Sequence, residues 1–304
     1  MDFTRLFDEA DCTGSLHAVR LSDGVEVSHD PDRPHVLASV SKVPIGLEFY
    51  ALADTRRVDP TETVALKPAH RTPGPVGISQ FEDTVTMSLR DLSYLMLTIS
   101  DNAAADAVLA AVGIASVNDR LRAIGCRETV IVESFQAMLD SVASDMGHRN
   151  YPELMAAQNG EMGPGAQAMA TDSERIDRCR ALDPLQASRT TARDATRLLS
   201  SVWANTGASP RACAALRRVM SQQVTQRLAR AVPEGGILEA KSGGLFRRVL
   251  NEIALITDPN GETYSVAVLT RARPPHNSRA ATSEAMSVAV AAAVDHLRIR
   301  SHPN

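Results

Sequence analysis

The ten residues 37–46, LASVSKVPIG, carry the strongest indication of the fold of this chain. They place Lys42, one of three lysines in 304 residues, three positions after Ser39 and two before Pro44. Residues three apart share one face of a helix, so a helix that begins at Ser39 brings the lysine amine beside the serine hydroxyl. A buried lysine can lose its proton near neutral pH, which an arginine cannot. Such an amine could take the serine proton and make Ser39 a nucleophile.

Pro44 changes the expected shape of this segment, because it lacks the N–H that would bond back to residue 40. We therefore predict a distorted or 3₁₀-like first turn. Alone, the pattern also fits a helix cap followed by a surface lysine, so other segments of the chain have to decide between the two interpretations.

A second candidate is the tripeptide Ser100-Asp101-Asn102, which follows the apolar segment LSYLMLTI. A serine there could relay a proton between Lys42 and a leaving group. The Asn102 amide could hold both a substrate amide and the lysine side chain. The same tripeptide is also an ordinary turn at the start of a helix.

A third candidate is Lys241-Ser242-Gly243-Gly244, just before a predicted hairpin. Small residues at a strand edge let a substrate backbone lie alongside, and the lysine and serine could bind a carboxylate. The N–H groups of Gly244 and Ser39 could together form an oxyanion hole. Taken singly, the segment also fits a glycine loop with a solvated lysine.

Strand-like segments lie towards both ends of the chain. SLHAVRL and VEVSH flank an SDG turn, and NEIALITD and ETYSVAVLT flank a PNG turn, so each pair is predicted to form a hairpin. The last segment, SRAATSEAMSVAVAAAVDHLRIR, has helical periodicity, and most segments between the hairpins are helical as well. This order predicts an α+β fold, in which helices pack on an antiparallel sheet and a helical subdomain is inserted between its strands.

We predict a sheet lobe from residues 1–42 and 226–304 and a helical lobe from residues 43–225. The region from about 126 to 188 includes GHRNYPELMAAQNGEMGPGAQAM, which is rich in Gly, Met and Asn. This composition predicts a long irregular loop with short helices, and loops of that length are usually functional or disordered.

Composition and charge exclude several classes of function. The net charge is −4, the basic residues are spread along the chain and aromatic residues make up 4 %, so neither a nucleic-acid surface nor a base-stacking platform is expected. No apolar run reaches the ~18 residues that a membrane span needs. The N-terminal segment MDFTRLFDEADCTG lacks the pattern of a secretory signal, which favours a cytoplasmic location. The expected partner is a small-molecule substrate.

No metal or organic cofactor is predicted. The four cysteines have neither CxxC nor Cys/His spacing typical of a zinc site, and we interpret them as reduced, partly buried thiols. Their positions are Cys12, Cys126, Cys179 and Cys213.

In this order, the three motifs resemble the signature of the serine β-lactamase and penicillin-binding-protein superfamily, S-x-x-K, S-D-N and K-T-G. The resemblance covers nearly the whole chain and is closest to class A β-lactamase-like serine hydrolases, since SRTTARDATRLL is similar to the segment after their omega loop. It implies a five-stranded antiparallel sheet with flanking helices and an all-helical lobe, with the active site between them. The roles that it implies are an acylated nucleophile at Ser39, a base at Lys42, a proton relay at Ser100, an amide-holding side chain at Asn102 and a carboxylate anchor at Lys241 with Ser242.

The chain departs from this pattern at the residue that would hydrolyse the acyl-enzyme. Class A β-lactamases carry Glu-x-x-x-Asn in the omega loop, and DRCRALDPLQASRTT has no such pattern. Glu133 and Glu174 lie near the corresponding part of the chain, and each is a weak candidate for the deacylation base. Without that base, acylation of Ser39 is expected but fast hydrolysis of a penicillin is not.

A second departure concerns the grip on a substrate carboxylate. Relatives often place an arginine near the start of the segment that reads VLNEIAL here, where this chain has Leu250 and Asn251. Arg247 and Arg248 lie just upstream, so one of them could substitute, or the substrate could lack that carboxylate.

The leading prediction is a serine hydrolase that cleaves an amide, β-lactam or ester bond through an acyl-Ser39 intermediate. The alternatives are an esterase, a peptidase of the DD-peptidase kind or an acyltransferase with the same nucleophile, for example in small-molecule biosynthesis. A non-catalytic β-lactam-binding protein is less expected, because a protein that only binds does not need an activated serine.

Overall fold

Five antiparallel strands form the sheet of this protein, whose computed structural model describes residues 1–161, 173–273 and 278–299. The α+β class and both hairpins agree with the prediction from the sequence. The strands, in spatial order, are β2 (Glu26–His29), β1 (Cys12–Arg20), β9 (Thr263–Ala272), β8 (Val249–Thr257) and β7 (Ile237–Leu245).

The two faces of the sheet bury different side chains, because successive residues of a strand point to opposite sides. On β9, Val266 and Val268 belong to one hydrophobic core, whereas Ala267 and Leu269 belong to the other. Helices α1 (Phe3–Glu9) and α11 (Arg279–Ile299) cover the first face, and α9 (Ala192–Trp203) covers the second.

Most of the described helices lie between the first and second pairs of sheet strands, as predicted. This inserted part also holds short strands: β3 (His35–Val36) pairs with β6 (Arg189–Thr190), and β4 (Thr63–Leu66) pairs with β5 (Val85–Ser88). The lobe boundaries at 42/43 and 225/226 stay a prediction. The helices of this part, besides α9, are α2 (Lys42–Asp54), α3 (Leu89–Thr98), α4 (Asn102–Val112), α5 (Ile114–Ala123), α6 (Phe135–Asp145), α7 (Tyr151–Glu161), α8 (Ser173–Asp177) and α10 (Pro210–Met220).

The region predicted as a long irregular loop with short helices, residues 126–188, contains three helices among its described residues. Helices α6, α7 and α8 lie within it, and α6 is eleven residues long. Residues 162–172, which hold much of the Gly- and Met-rich sequence, lie outside the described residues. The described part of this region thus holds the short helices that were expected, and its character as an omega-like loop stays a prediction.

Three helices begin at side-chain caps. The side chains of Ser88, Asp101 and Thr191 each accept a hydrogen bond from the backbone N–H three residues later, at 3.2, 3.0 and 3.1 Å, at the starts of α3, α4 and α9. Such caps satisfy one of the unpaired donors at a helix start. The cap at Asp101 also fixes the backbone of the two flanking residues, 100 and 102.

The turn before α2 is held tightly against the sheet. A Cβ at Gly243 of β7 would lie 3.2 Å from the carbonyl oxygen of Leu37 and from the backbone nitrogen of Val40, so a side chain there would have to push the turn away by a few tenths of an ångström. Asn251 of β8 is fully buried, and its amide donates to the carbonyl oxygens of Val36 and Leu37 at 2.8 and 3.3 Å. The backbone that carries residue 39 is therefore fixed by the two strands.

Candidate active site

Ser39 and Lys42 lie side by side where a 3₁₀ turn continues into a helix. The turn spans Ala38–Ser41 and α2 begins at Lys42, which agrees with the predicted 3₁₀-like first turn. The Lys42 amine lies 3.2 Å from the Ser39 hydroxyl oxygen, within reach for proton transfer. Ala38 has a φ of 48°, a left-handed conformation that costs a non-glycine residue free energy and that clusters at functional sites.

The hydrogen bonds around Lys42 leave a place for the serine proton. Its amine lies 2.7 Å from the carbonyl oxygen of Ser100 and 2.8 Å from the Asn102 amide oxygen. Both oxygens only accept, so they take the two N–H bonds of a neutral amine. The nitrogen lone pair is then left for a hydroxyl, and those of Ser39 and Ser100 both lie at 3.2 Å. The neutral amine can thus accept a proton from either serine.

The surroundings of Lys42 favour that neutral form. The side chain is fully buried, and burial, together with the nearby charge of Lys241, holds the pKa of its amine well below the usual value. The carboxylates of Asp101 and Asp106 act in the opposite direction but are smaller causes. A lysine with such a lowered pKa can act as a base near neutral pH.

Ser100 and Asn102 owe their positions to the cap between them. Asp101 is fully buried, and its carboxylate accepts from the backbone N–H of Ile78 at 2.6 Å as well as capping α4. Ser100 has a φ of 67°, which turns both its carbonyl and its hydroxyl towards Lys42. The interpretation of the tripeptide as a helix start and its interpretation as a functional motif are therefore compatible.

The third motif lies on β7, at the edge of the sheet. Lys241 is fully buried, and its amine donates to the Gln223 amide oxygen at 3.2 Å and to the Ser242 carbonyl oxygen at 2.9 Å. Burial lowers the pKa of this amine to about 7, although the charge of Glu252 acts against the shift. Gln223 also accepts from the backbone N–H of Ser242 at 2.7 Å, so it holds both residues of the predicted anchor.

One cleft joins the three motifs. It has a volume of about 340 Å³ and is lined by Ser39, Ser100 and Asn102 on one side and by Ser242, Gly243 and Gly244 on the other. Lys42 and Lys241 lie buried beneath these residues. The structure thus brings together all the residues predicted from the three motifs, while their chemical roles stay predictions.

Arginines line the end of this cleft next to the β7–β8 connection. Arg247 and Arg248 are both present in the lining, as predicted, but Arg248 already pairs with Asp177 at 2.7 Å. Arg227 pairs with the buried Glu252 at 3.1 Å. Arg279, at the start of α11, also lines the cleft, and its guanidinium makes no ion pair with any residue that the structure describes. It is a candidate for binding an anionic group that sequence analysis missed.

The two candidate deacylation bases, Glu133 and Glu174, lie in different places. In the part of the chain that the structure describes, neither carboxylate is hydrogen-bonded to Ser39. Glu174 is exposed on α8 and pairs with Arg178 at 3.6 Å, so a role at the cleft is not supported. Glu133 lines a small cavity of about 40 Å³ with Ala38. Burial raises the pKa of its carboxyl. Glu133 is thus near the turn but outside the cleft.

Phe135 lies between Glu133 and the cleft and was missed in the sequence. Its ring centroid lies 4.5 Å from the Lys42 amine, and it lines both the small cavity and a further part of the cleft. Asp106 fixes the backbone there by accepting from the N–H of Phe135 at 2.8 Å. An apolar ring therefore lies directly over the Lys42 amine.

No motif could have identified Phe135, Gln223, Asn251 or Arg279, because each reaches the site through tertiary packing.

The described parts of the chain contain no helix long and apolar enough to cross a membrane. In the same ranges, no group of three or more His, Cys, Asp or Glu side chains could hold a metal ion. All four cysteines are buried and unpaired.

Comparison with known proteins gives one family and a set of similar folds. The sequence profile of the beta-lactamase enzyme family matches residues 2–297. The beta-lactamase regulatory protein BlaB of Streptomyces cacaoi is 26 % identical over 303 residues, which cover 95 % of this chain and 94 % of BlaB.

Two solved structures share the fold over almost their whole length. The β-lactamase of Sphaerobacter thermophilus has a TM-score of 0.74 and 23 % identity, covering 98 % of this chain and 96 % of that one. A variant of PBP-A, solved as an acyl-enzyme complex with penicillin G, has a TM-score of 0.73 and 19 % identity, covering 99 % and 95 %. The five-stranded sheet with its helices is therefore β-lactamase-like, as the resemblance implied.

Proposed function

The chain belongs to the beta-lactamase enzyme family, and we propose that it forms an acyl-enzyme at Ser39 with a small molecule that contains a β-lactam, amide or ester bond. The observation that carries this proposal is the contact of the buried Lys42 amine with the Ser39 hydroxyl at 3.2 Å. A lysine that only stabilised the fold would not need to place its amine against a hydroxyl that opens into a cleft.

The proposed reaction begins when Lys42 takes the proton of Ser39 and the serine oxygen attacks the substrate carbonyl carbon. The N–H groups of Ser39 and Gly244 stabilise the oxyanion that forms. As the carbon–nitrogen or carbon–oxygen bond breaks, Ser100 gives its proton to the leaving group and recovers one from Lys42. The protonated Lys241 and the Ser242 hydroxyl hold an anionic group of the substrate.

Hydrolysis of the acyl-enzyme is proposed to be the slow step. The Phe135 ring lies over the Lys42 amine, which would keep water from that side of the base, and Glu133 lines a separate small cavity. An ester at Ser39 would therefore persist until water or another nucleophile attacks its carbonyl carbon.

The experiment is intact-protein mass spectrometry after incubation with benzylpenicillin, followed by peptide mapping. We expect one adduct on the peptide that contains Ser39, no adduct in Ser39→Ala, and full labelling in Ser22→Ala, which removes an exposed turn hydroxyl. Nitrocefin and p-nitrophenyl acetate turnover then separate a lactamase from an esterase. A Ser39→Ala protein that is still labelled to the wild-type extent would overturn the proposal.

Lys241 gives the reaction a predicted pH dependence. Because burial lowers the pKa of its amine to about 7, the charge that anchors an anionic substrate is present below pH 7 and is lost above it. The second-order rate constant of acylation by benzylpenicillin should fall about tenfold per pH unit above that value. Acylation by the neutral p-nitrophenyl acetate, corrected with Ser39→Ala as blank, should not fall. Equal slopes for the two substrates would contradict the assigned anchor.

A second candidate function is a regulatory one, in which a long-lived adduct at Ser39 reports the presence of a β-lactam. The cover of Phe135 over Lys42 favours this candidate, and the name of the S. cacaoi relative, a β-lactamase regulatory protein, is consistent with it. Rapid nitrocefin turnover would exclude it, whereas a stoichiometric adduct that persists would support it.

A further inference from the structure

The cleft at Ser39 continues into a second, more apolar compartment. We call this compartment, of about 490 Å³, the apolar side. Its apolar lining consists mainly of side chains from α6, α7 and the end of β7. These residues include Phe135, Met138, Leu139, Tyr151, Met155 and Phe246.

The apolar side is backed by a packed core. Met138, Tyr151, Met155 and Phe246 are half-buried and pack against a buried cluster that includes Leu154. Their remaining exposed surface faces a cavity rather than being scattered over the protein. Contiguous apolar surface around a cavity is typical of a ligand site. Because Ser39 also lines this cavity, the ligand would be a substrate of that serine.

The other compartment is the more polar of the two, although apolar side chains such as Ile99 and Leu250 also line it. It is the cleft already described, lined by Arg227, Arg247, Arg248 and Arg279 together with Ser242, and we call it the arginine side. Ser39, Asn102 and Gly244 line both compartments. A substrate whose carbonyl lies at Ser39 would therefore place one half of the molecule in each compartment.

Ser100 sets the direction in which a substrate would bind. It lines the arginine side but not the apolar side. The group that gives a proton to the leaving atom must lie beside that atom, so the leaving group belongs on the arginine side. The half that stays bonded to Ser39, the acyl group, then has the apolar side to occupy.

We propose that the acyl group transferred to Ser39 is long and apolar and lies against Met138 and Met155. This inference rests on the proposed acylation of Ser39 and adds the class of acyl group to it. In the step itself, the ester carbon–oxygen bond breaks, the Ser39 oxygen forms the new ester, and the alcohol leaves with the proton that Lys42 removed. Each methylene buried on binding contributes roughly a fourfold gain in affinity or rate.

The test compares acylation by p-nitrophenyl acetate and p-nitrophenyl octanoate, which share one leaving group. The measured quantity is the ratio of their second-order rate constants for the burst of p-nitrophenol, each corrected for spontaneous hydrolysis. We expect octanoate to react at least about tenfold faster than acetate in the wild-type protein. Mass spectrometry of the quenched burst should place the octanoyl group on the peptide with Ser39.

Met155→Asp should remove this preference, because a carboxylate on the half-exposed face of α7 makes the apolar side unfavourable for a methylene chain. The octanoate-to-acetate ratio should fall at least about fivefold. Leu185→Asp, which adds the same charge at an exposed position outside both compartments, should keep the wild-type ratio.

The outcomes separate this inference from the proposed function. Acylation of Ser39 by acetate with no preference for octanoate, or an equal ratio in Met155→Asp and the wild type, would overturn the long acyl group and leave the acyl-enzyme standing. Absence of any adduct on Ser39, with either ester or with benzylpenicillin, would overturn both.

Discussion

Replacing Lys42 with methionine should reduce acylation of Ser39 by at least about a thousandfold, nearly as much as removing the serine hydroxyl itself. Methionine has a similar length and is apolar, so it can occupy the buried site without the cost of an unpaired charge. It cannot accept a proton, and general bases contribute roughly a hundredfold to ten-thousandfold to such steps. The measurement is the rate of labelling by a fluorescent penicillin.

The control for Lys42→Met is Lys67→Met, because Lys67 is exposed and lies outside the cleft. It should label at the wild-type rate. Any residual labelling of Lys42→Met should still be on Ser39, so the double variant with Ser39→Ala should give no adduct, as Ser39→Ala alone does. Lys42→Met that folds normally by circular dichroism and still labels at the wild-type rate would refute the assignment of Lys42 as base.

The sequence predicted the centre of this site because the three motifs are local. Ser39 and Lys42 are three residues apart, and one turn of backbone brings them together regardless of the rest of the chain. Ser100 and Asn102 flank the Asp101 cap, so a local helix start also sets their positions. The order of hairpins and helices then placed the motifs around a common cleft. Such short-range relations are what residue spacing can report.

The features that the sequence did not reveal depend on long-range contacts. Asn251 donates to the carbonyl of Val36, more than two hundred residues earlier, and Gln223 holds Lys241 across the cleft floor. Neither residue is unusual by type or by its neighbours in the chain. Residues 126–188 were predicted to be a loop with short helices because the region is rich in Gly and Asn, which lower helix propensity, and in Met; α6 forms where its apolar residues pack on the core.

Replacing Phe135 with glutamate should shorten the lifetime of the acyl-enzyme by at least about tenfold. The backbone of residue 135 is fixed by Asp106, and its side chain points at Lys42, with the ring centroid 4.5 Å from the amine. A carboxylate there would lie close enough to Ser39 to activate a water for attack on the ester. The same negative charge favours the protonated amine and raises the pKa of Lys42, so acylation should become slower while deacylation becomes faster.

Phe135→Ala separates the two ways in which the ring could prolong the adduct. If the ring acts by excluding water, the alanine variant should lose the penicilloyl group nearly as fast as the glutamate variant; if a base is what the wild type lacks, only glutamate should accelerate the loss. Phe81→Glu, at a phenylalanine that is 53 % exposed and lines neither compartment, should keep the wild-type lifetime. In all four proteins, the lifetime of the acyl-enzyme is measured by mass spectrometry from the decline of the adduct peak with time. Equal lifetimes in all of them would show that Phe135 does not control deacylation, and the slow step would then have to be set by the distance of every available carboxylate from Ser39.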